Sequence, residues 1–284
     1  MGGGALLLSA LAWKLLEAGA GTMLHATLKE VPEEFQDLAY KASPVKAPGV
    51  PLPLLYTSAK SLLIVDNIDE ETKQREKFVV GGALIKSKRG KTEFATLNYA
   101  SRPGRIKSSY HLYIPPYGVI PLSEEQVTDG QPDVRQIGPE LVSIGIPAPY
   151  AQALELTTPL LRPTRFPIEG RNLKMSAIGP DGDVWRVQGV NETTVGKAKT
   201  PAVVGFSFEH LVSQETDMGM PLLGYDPNTR LVTNAVYGLA NAFPPDDISH
   251  LIIGNLYKNA GSYEERTFRS NVALYTAFYP DETY

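Results

Sequence analysis

The sequence predicts a mainly β fold, a sandwich or barrels, with helical segments added at both ends. Three observations predict it. Short apolar runs recur from about residue 58 to 240, and turn signals such as GPDGD (179–183) and DPNT (226–229) separate them. Both ends of the chain carry apolar residues at a helix-like spacing instead. Hydrophobic residues make up 43% and charged residues 20%, enough for a packed core and far from a disordered composition.

Taken in order, residues 1–40 form an N-terminal helical segment. GGGALLLSALAWKLLEAGAG (2–21) is Ala- and Leu-rich, with Lys14 and Glu17 interrupting the apolar surface. The apolar stretch before Lys14 is shorter than the ~20 residues that a bilayer requires. It lacks the basic start of a signal peptide, and Leu6 breaks the acylation pattern that Gly2 would open. The expectation is a helix packed on the body or on a partner; a helix lying in a membrane interface is the alternative. Residues 41–57 contain Pro44, Pro48, Pro51 and Pro53 and read as an extended linker and domain boundary.

The β domain covers 58–243. SLLIVDNI is a fully buried run, and EKFVVGGALIKS is a second strand whose Gly81-Gly82 marks a bulge or a close backbone approach. KSKRGK (86–91) is a solvated hairpin turn rather than a nucleic-acid patch. KTEFATLNYA, RIKSSYHLYIPP, NLKMSAIGP, GDVWRVQGV, TPAVVGFSF, MPLLGYD and RLVTNAVYGLA supply further strands. The tail, 244–284, reads as two short helices: Asp246, Asp247 and Ser262 are N-cap residues, and Glu265 completes a capping box with Ser262.

The net charge of −4 gives no footprint for nucleic acid. The absence of cysteine removes disulfides, thiolate metal sites and a thiol nucleophile. His25, His111, His210 and His250 form no metal-binding spacing, and no phosphate- or dinucleotide-binding glycine pattern occurs, so neither a metal nor a cofactor is expected. Asn191-Glu192-Thr193 is a sequon of low specificity. Ser207 lies in an apparent strand and lacks the second glycine of a nucleophile elbow.

Three stretches carry a resemblance. VVGGALIKSKRGKTEFATLNYA (79–100) has the strand, turn and strand that lead to a catalytic-base corner, with Tyr99 where a His would stand. QPDVRQIGPELVSIGIP (131–147) offers Asp133 at a strand start, followed by Ile144-Gly145-Ile146. ETDMGMPLLG (215–224) matches a nucleophile turn at Gly219, Pro221 and Leu222, with Met218 in the nucleophile's place and Thr216 at the upstream glycine. AVYGLANAF (235–243) is similar to the strand lining the substrate pocket. The order and spacing resemble the chymotrypsin-like serine proteases of positive-strand RNA viruses, above all the sobemovirus-like enzymes. The resemblance implies a two-barrel chymotrypsin-like fold. It also implies a polyprotein origin and a viral protein of the host cytoplasm or the virion.

The residues themselves argue against that chemistry. Acyl transfer requires an activated oxygen or sulfur nucleophile, and a thioether has no proton to give. The base must titrate near neutrality, whereas a Tyr hydroxyl has a pKa near ~10. The oxyanion hole needs backbone N–H groups at the nucleophile and two residues before it, and a β-branched Thr216 resists the geometry that glycine permits there. Asp133 alone keeps its type and has nothing to orient. Each residue also has a plainer account: Tyr99 as a strand aromatic, Met218 as core filler, Asp133 as a turn residue.

The expectation is therefore a catalytically inactive homologue. It would act as a protein-binding or assembly module that takes a protein or peptide in the cleft between barrels and is able to oligomerise. Two alternatives are a viral structural subunit built as a β-sandwich, and an active serine hydrolase with a displaced triad of His111, Asp133 and Ser213.

Overall fold

The structure is a computed structural model that describes residues 24, 28–44, 52–98, 106–127, 133–166, 173–195, 200–206, 214–242 and 272–284. The helix expected over 2–21, and that expected near 246–259, lie outside these residues, as do Tyr99, Ser213, His25, His210 and His250.

Strands β1 (Leu62–Asp69), β2 (Arg75–Lys86), β3 (Thr92–Leu97), β4 (Ile106–Ile114), β5 (Gly118–Leu122), β6 (Val134–Gly138) and β7 (Leu141–Gly145) build one sheet in the order β5-β4-β1-β2-β3-β7-β6. The hairpin turn expected at 86–91 forms: the Ser87 N–H donates to the Lys91 carbonyl at 2.9 Å, and Gly90 takes φ +77°. Side chains alternate across the strands. Leu63, Val65, Leu112 and Ile120 point into the barrel core. Leu62, Ile64, Tyr113 and Val119 point outward and are buried beneath helix α1 (Glu33–Ala42), with Phe35 and Ala39 packed on them. That second layer explains why 62–65 is continuously apolar rather than alternating.

A second sheet comprises β9 (Leu173–Ile178), β10 (Val184–Val195), β11 (Thr200–Phe206), β12 (Pro221–Asp226), β13 (Leu231–Ala242) and β14 (Val272–Ala277), with the two-residue β8 (Arg162–Pro163) at its edge. Pairing of β12 with β13 closes these six strands into a ring. Met175, Trp185, Val187, Leu222 and Tyr275 fill it. Counted from its own first strand, the first sheet runs fifth, fourth, first, second, third, seventh, sixth, and the second, entered at β13, runs fifth, fourth, first, second, third, sixth. The order five-four-one-two-three thus occurs twice, in two antiparallel barrel-like sheets, the second closed by its β12–β13 pairing. This is the two-barrel chymotrypsin-like arrangement, and it replaces the single-sandwich alternative.

Two sequence expectations differ from the structure. The helix-like spacing of 262–278 predicts a helix, yet 272–277 form β14, hydrogen-bonded between β11 and β13. The β body therefore runs on to 277. The expected linker at 41–57 begins as the last turn of α1 and ends in helix α2 (Tyr56–Lys60).

The barrels meet along a stitched seam. Leu161 donates its N–H to the Leu84 carbonyl at 3.0 Å and accepts from the Lys86 N–H at 2.8 Å, while Thr164 donates to the Val236 carbonyl at 2.8 Å. One extended segment, following helix α4 (Ala148–Thr157), is thereby bonded to both sheets. A single apolar cluster continues across it, from Ile85 and Leu161 to Ile178, Leu223 and Leu239. Helix α2 wedges in beside it: the Tyr56 hydroxyl donates to the Pro44 carbonyl at 2.7 Å, and the Ser58 hydroxyl to the Pro159 carbonyl at 2.6 Å. Residues 278–284 then cross from the second barrel to the first. Tyr279 N–H donates to the Ile137 carbonyl at 2.8 Å, Tyr284 N–H to the Pro163 carbonyl at 3.0 Å, and Glu282 pairs with Arg135 of β6. The short helix α3 (Glu124–Val127) bridges β4 and β7. No described helix is long and apolar enough to cross a membrane.

Candidate functional site

The candidate site is the turn where one barrel's backbone touches the other's. Helix α5 (Gln214–Asp217) is a single turn, followed by Met218, Gly219 and Met220 and then by β12. Gly219 takes φ +82°, a left-handed conformation that glycine adopts without a Cβ penalty. Its N–H donates to the Ala240 carbonyl at 2.8 Å, and the Ala240 N–H returns to the Met220 carbonyl at 2.8 Å. The turn is thereby clamped to β13. On the other side the Gly81 N–H of β2 donates to the Met218 carbonyl at 2.8 Å. A Cβ on Gly81 would lie 2.5 Å from that carbonyl oxygen, and a Cβ on Gly219 would lie 2.1 Å from the Gly81 oxygen. The close backbone approach expected at Gly81-Gly82 is therefore real, and its partner is the Met218–Gly219 peptide.

Met218 is half-buried against the first-barrel cluster, and Met220 is buried in the second. Thr216 is half-buried, and its hydroxyl donates to Asp217 Oδ2 at 3.1 Å. The space bounded by Lys60, Thr216, Met218, Met220 and Gly81 is a cavity of about 10 Å³, room for one water molecule at most.

Of the other expected residues, Tyr99 and Ser213 lie outside the described residues, and Asp133 and His111 are not among those that bound this space. Asp133 is exposed, and its carbonyl accepts from the Gly145 N–H at 2.9 Å. It borders an open groove of about 440 Å³ between β3 and α4, lined also by Lys91, Glu93 and Glu155. Glu155 there is held below its usual carboxylate range, first by the Lys86 ammonium at 2.7 Å and then by the Thr92 hydroxyl. His111 sits on the outer face of β4, with its ring 5.8 Å from that of Phe35. The carboxylates acting on His111 are Glu34 and Asp66. No group of three or more metal-ligating side chains occurs among the described residues.

Two charged residues at the turn escaped the sequence reading. Lys60 is 5% exposed, and Asp217 is fully buried. Burial pulls the Lys60 ammonium down to about 8, against the opposing pull of Asp217 and then Asp181. Lys60 directly precedes Ser61 and the apolar run, where a lysine reads as the solvated end of a helix, so the sequence carries no signal of its burial. The consequence has a definite sign. With the folded pKa below the unfolded one, the unfolded chain holds the extra proton between about 8 and 10.5. The cost of the buried charge is therefore fully present below pH 8, and stability rises as pH climbs through that window. Urea midpoints at pH 7.5 and 9.5 should show this rise in the parent chain, and the rise should be missing in Lys60→Met.

No protein-family model matches the chain, and no curated protein matches it. Among solved structures, the Rv3671c protease from M. tuberculosis in its active form is similar at a TM-score of 0.41 and 13% identity, covering 90% of this chain and 88% of that chain. An inactive mutant of the murine norovirus NS6 protease with a C-terminal extension gives 0.36 and 14%, covering 70% and 89%. The NS6 protease from murine norovirus 1 gives 0.35 and 12%, covering 75% and 89%. The fold assignment stands on the repeated strand order, independently of these distant likenesses.

Proposed function

We propose that this chain is a catalytically inactive chymotrypsin-like module that binds a protein or peptide partner along the junction of its two barrels. The observation that carries this reading is Met218. It occupies the turn that presents a nucleophile in the active relatives of such a fold, its carbonyl is tied to Gly81, and only about 10 Å³ of space lies beside it. A thioether cannot be acylated to a hydrolysable ester, and no substrate carbonyl fits that space. What the fold does offer a partner is backbone: extended strands that bind a peptide by strand addition.

The test compares the chain with a triple variant carrying Tyr99→His, Thr216→Gly and Met218→Ser, both assayed on an unstructured protein substrate. The expected result is no cleavage by the parent chain and measurable cleavage by the variant. Cleavage by the parent chain would overturn the reading and turn attention to His111 with Ser213, which a fluorophosphonate probe would then label. Two folded but inert proteins would remove the protease ancestry and leave the binding role to be decided by partner capture alone.

A further inference from the structure

Segment 29–42 lies over the outer face of the first barrel, and its contacts are an unusual mixture. Lys29 forms one antiparallel bridge with Val119 at the β5 edge, donating its N–H at 3.1 Å and accepting at 2.7 Å. Phe35, 2% exposed, fills the space between Leu62, Ile64, Tyr113 and Val119. Lys77 Nζ sits 4.8 Å above the Phe35 ring. Glu34 pairs with Arg75 at 3.1 Å, and Arg75 also binds Asp66, through Nε at 2.7 Å. The apolar contacts favour docking. Beneath the same helix, however, lie two buried polar atoms with no hydrogen-bond partner, His111 Nδ1 and Tyr113 Oη. Docking strips both of water and returns nothing to either. At its ends the segment is held by the Lys29 bridge and, just beyond it, by the Tyr56 hydroxyl on the Pro44 carbonyl.

We propose that segment 29–42 is an acid-released cover, docked on the first barrel at neutral pH and displaced when His111 takes up a proton. The groups facing the ring are Lys29 of the segment, Glu34 of α1, Asp66 of β1 and the neighbouring Arg75 and Lys77 of β2; Ile64 and Pro121 flank it in the sheet. Imidazole is the one side chain of this set whose charge ordinarily changes between pH 7.5 and 5. Burial and then Lys29 hold the docked His111 below its ordinary 6.5, while Glu34 and Asp66 oppose them. The undocked, solvated ring takes the proton more readily. Docking is therefore fully favoured above pH 6.5 and weakens as pH falls from there toward the docked value. Release opens the β5 edge at Val119, where Lys29 now pairs, to another strand.

Hydrogen exchange on the full chain at pH 7.5 and 5.0, corrected for intrinsic rates, tests this. Amides of 29–42 should lose protection several-fold, while those of β2 and β3 keep theirs. In His111→Phe the loss should disappear. Retained protection at pH 5.0, or an equal loss in His111→Phe, would overturn the proposal. Phe35→Ala guards against a folding failure of the first variant. With docking already weakened, its His111 proton resonance should titrate above that of the parent chain; identical titration in the two proteins would also overturn it.

Discussion

Gly219→Ala should be the most damaging single methyl that can be added to this chain. At φ +82° an L-residue pays ~1–2 kcal/mol for the left-handed backbone alone. The new Cβ would also stand 2.1 Å from the Gly81 carbonyl oxygen, a backbone atom that moves only if β2 moves. Together these should cost about 4 kcal/mol, in the range reserved for buried clashes and backbone strain. At ~2–4 °C per kcal/mol the melting temperature should fall by roughly 10 °C. Gly90→Ala is the control. Its φ is +77°, nearly the same, but a Cβ there meets nothing within 4 Å. It should cost only the conformational share, ~1 kcal/mol. Equal losses in the two variants would mean that the Gly81–Gly219 contact between barrels contributes nothing.

Arg135→Met should be the second large effect. Arg135 reaches Glu93 of β3 at 3.1 Å on one side and Glu282 of the crossing tail on the other. The three side chains are 18%, 8% and 15% exposed, so this is not a surface pair screened by water. Removing the guanidinium strands the Glu93 carboxylate in a buried position, which costs ~3–5 kcal/mol in comparable cases. The double variant Arg135→Met with Glu93→Leu should recover most of that loss, because the buried charge goes with its partner. A urea-midpoint cycle over the four proteins reads the coupling directly. If the single variant costs under about 1 kcal/mol, the triad behaves as an ordinary surface ion pair.

The strands of both barrels were legible because each is a short apolar run closed by a real turn. Asp226 shows how directly: its side chain accepts from the Asn228 N–H at 2.9 Å, its carbonyl accepts from the Arg230 N–H at 2.8 Å, and the chain reverses there. Helix α4 was not legible. It buries only Ala153 and Leu154, so its apolar stripe is too thin to announce a period. Strand β14 was misread for the opposite reason. Val272, Ala273, Tyr275 and Thr276 are all buried, and a run covered on both faces has no alternation to distinguish it from a helix. At the site, Gly81 was readable as a place where backbone comes close, since a glycine inside a strand has few other uses. The partner of that approach was not readable, nor was the company of Lys60 with Asp217. Both depend on residues far apart in sequence that the seam alone brings together.

That seam has a mechanical meaning. A segment hydrogen-bonded at once to Leu84, Lys86 and Val236 behaves as a weld rather than a hinge. The two barrels are tied into one rigid unit. If the proposed partner binds along their junction, its capture would carry no slow closing step, and tight binding would come from a rigid host that loses little freedom when filled.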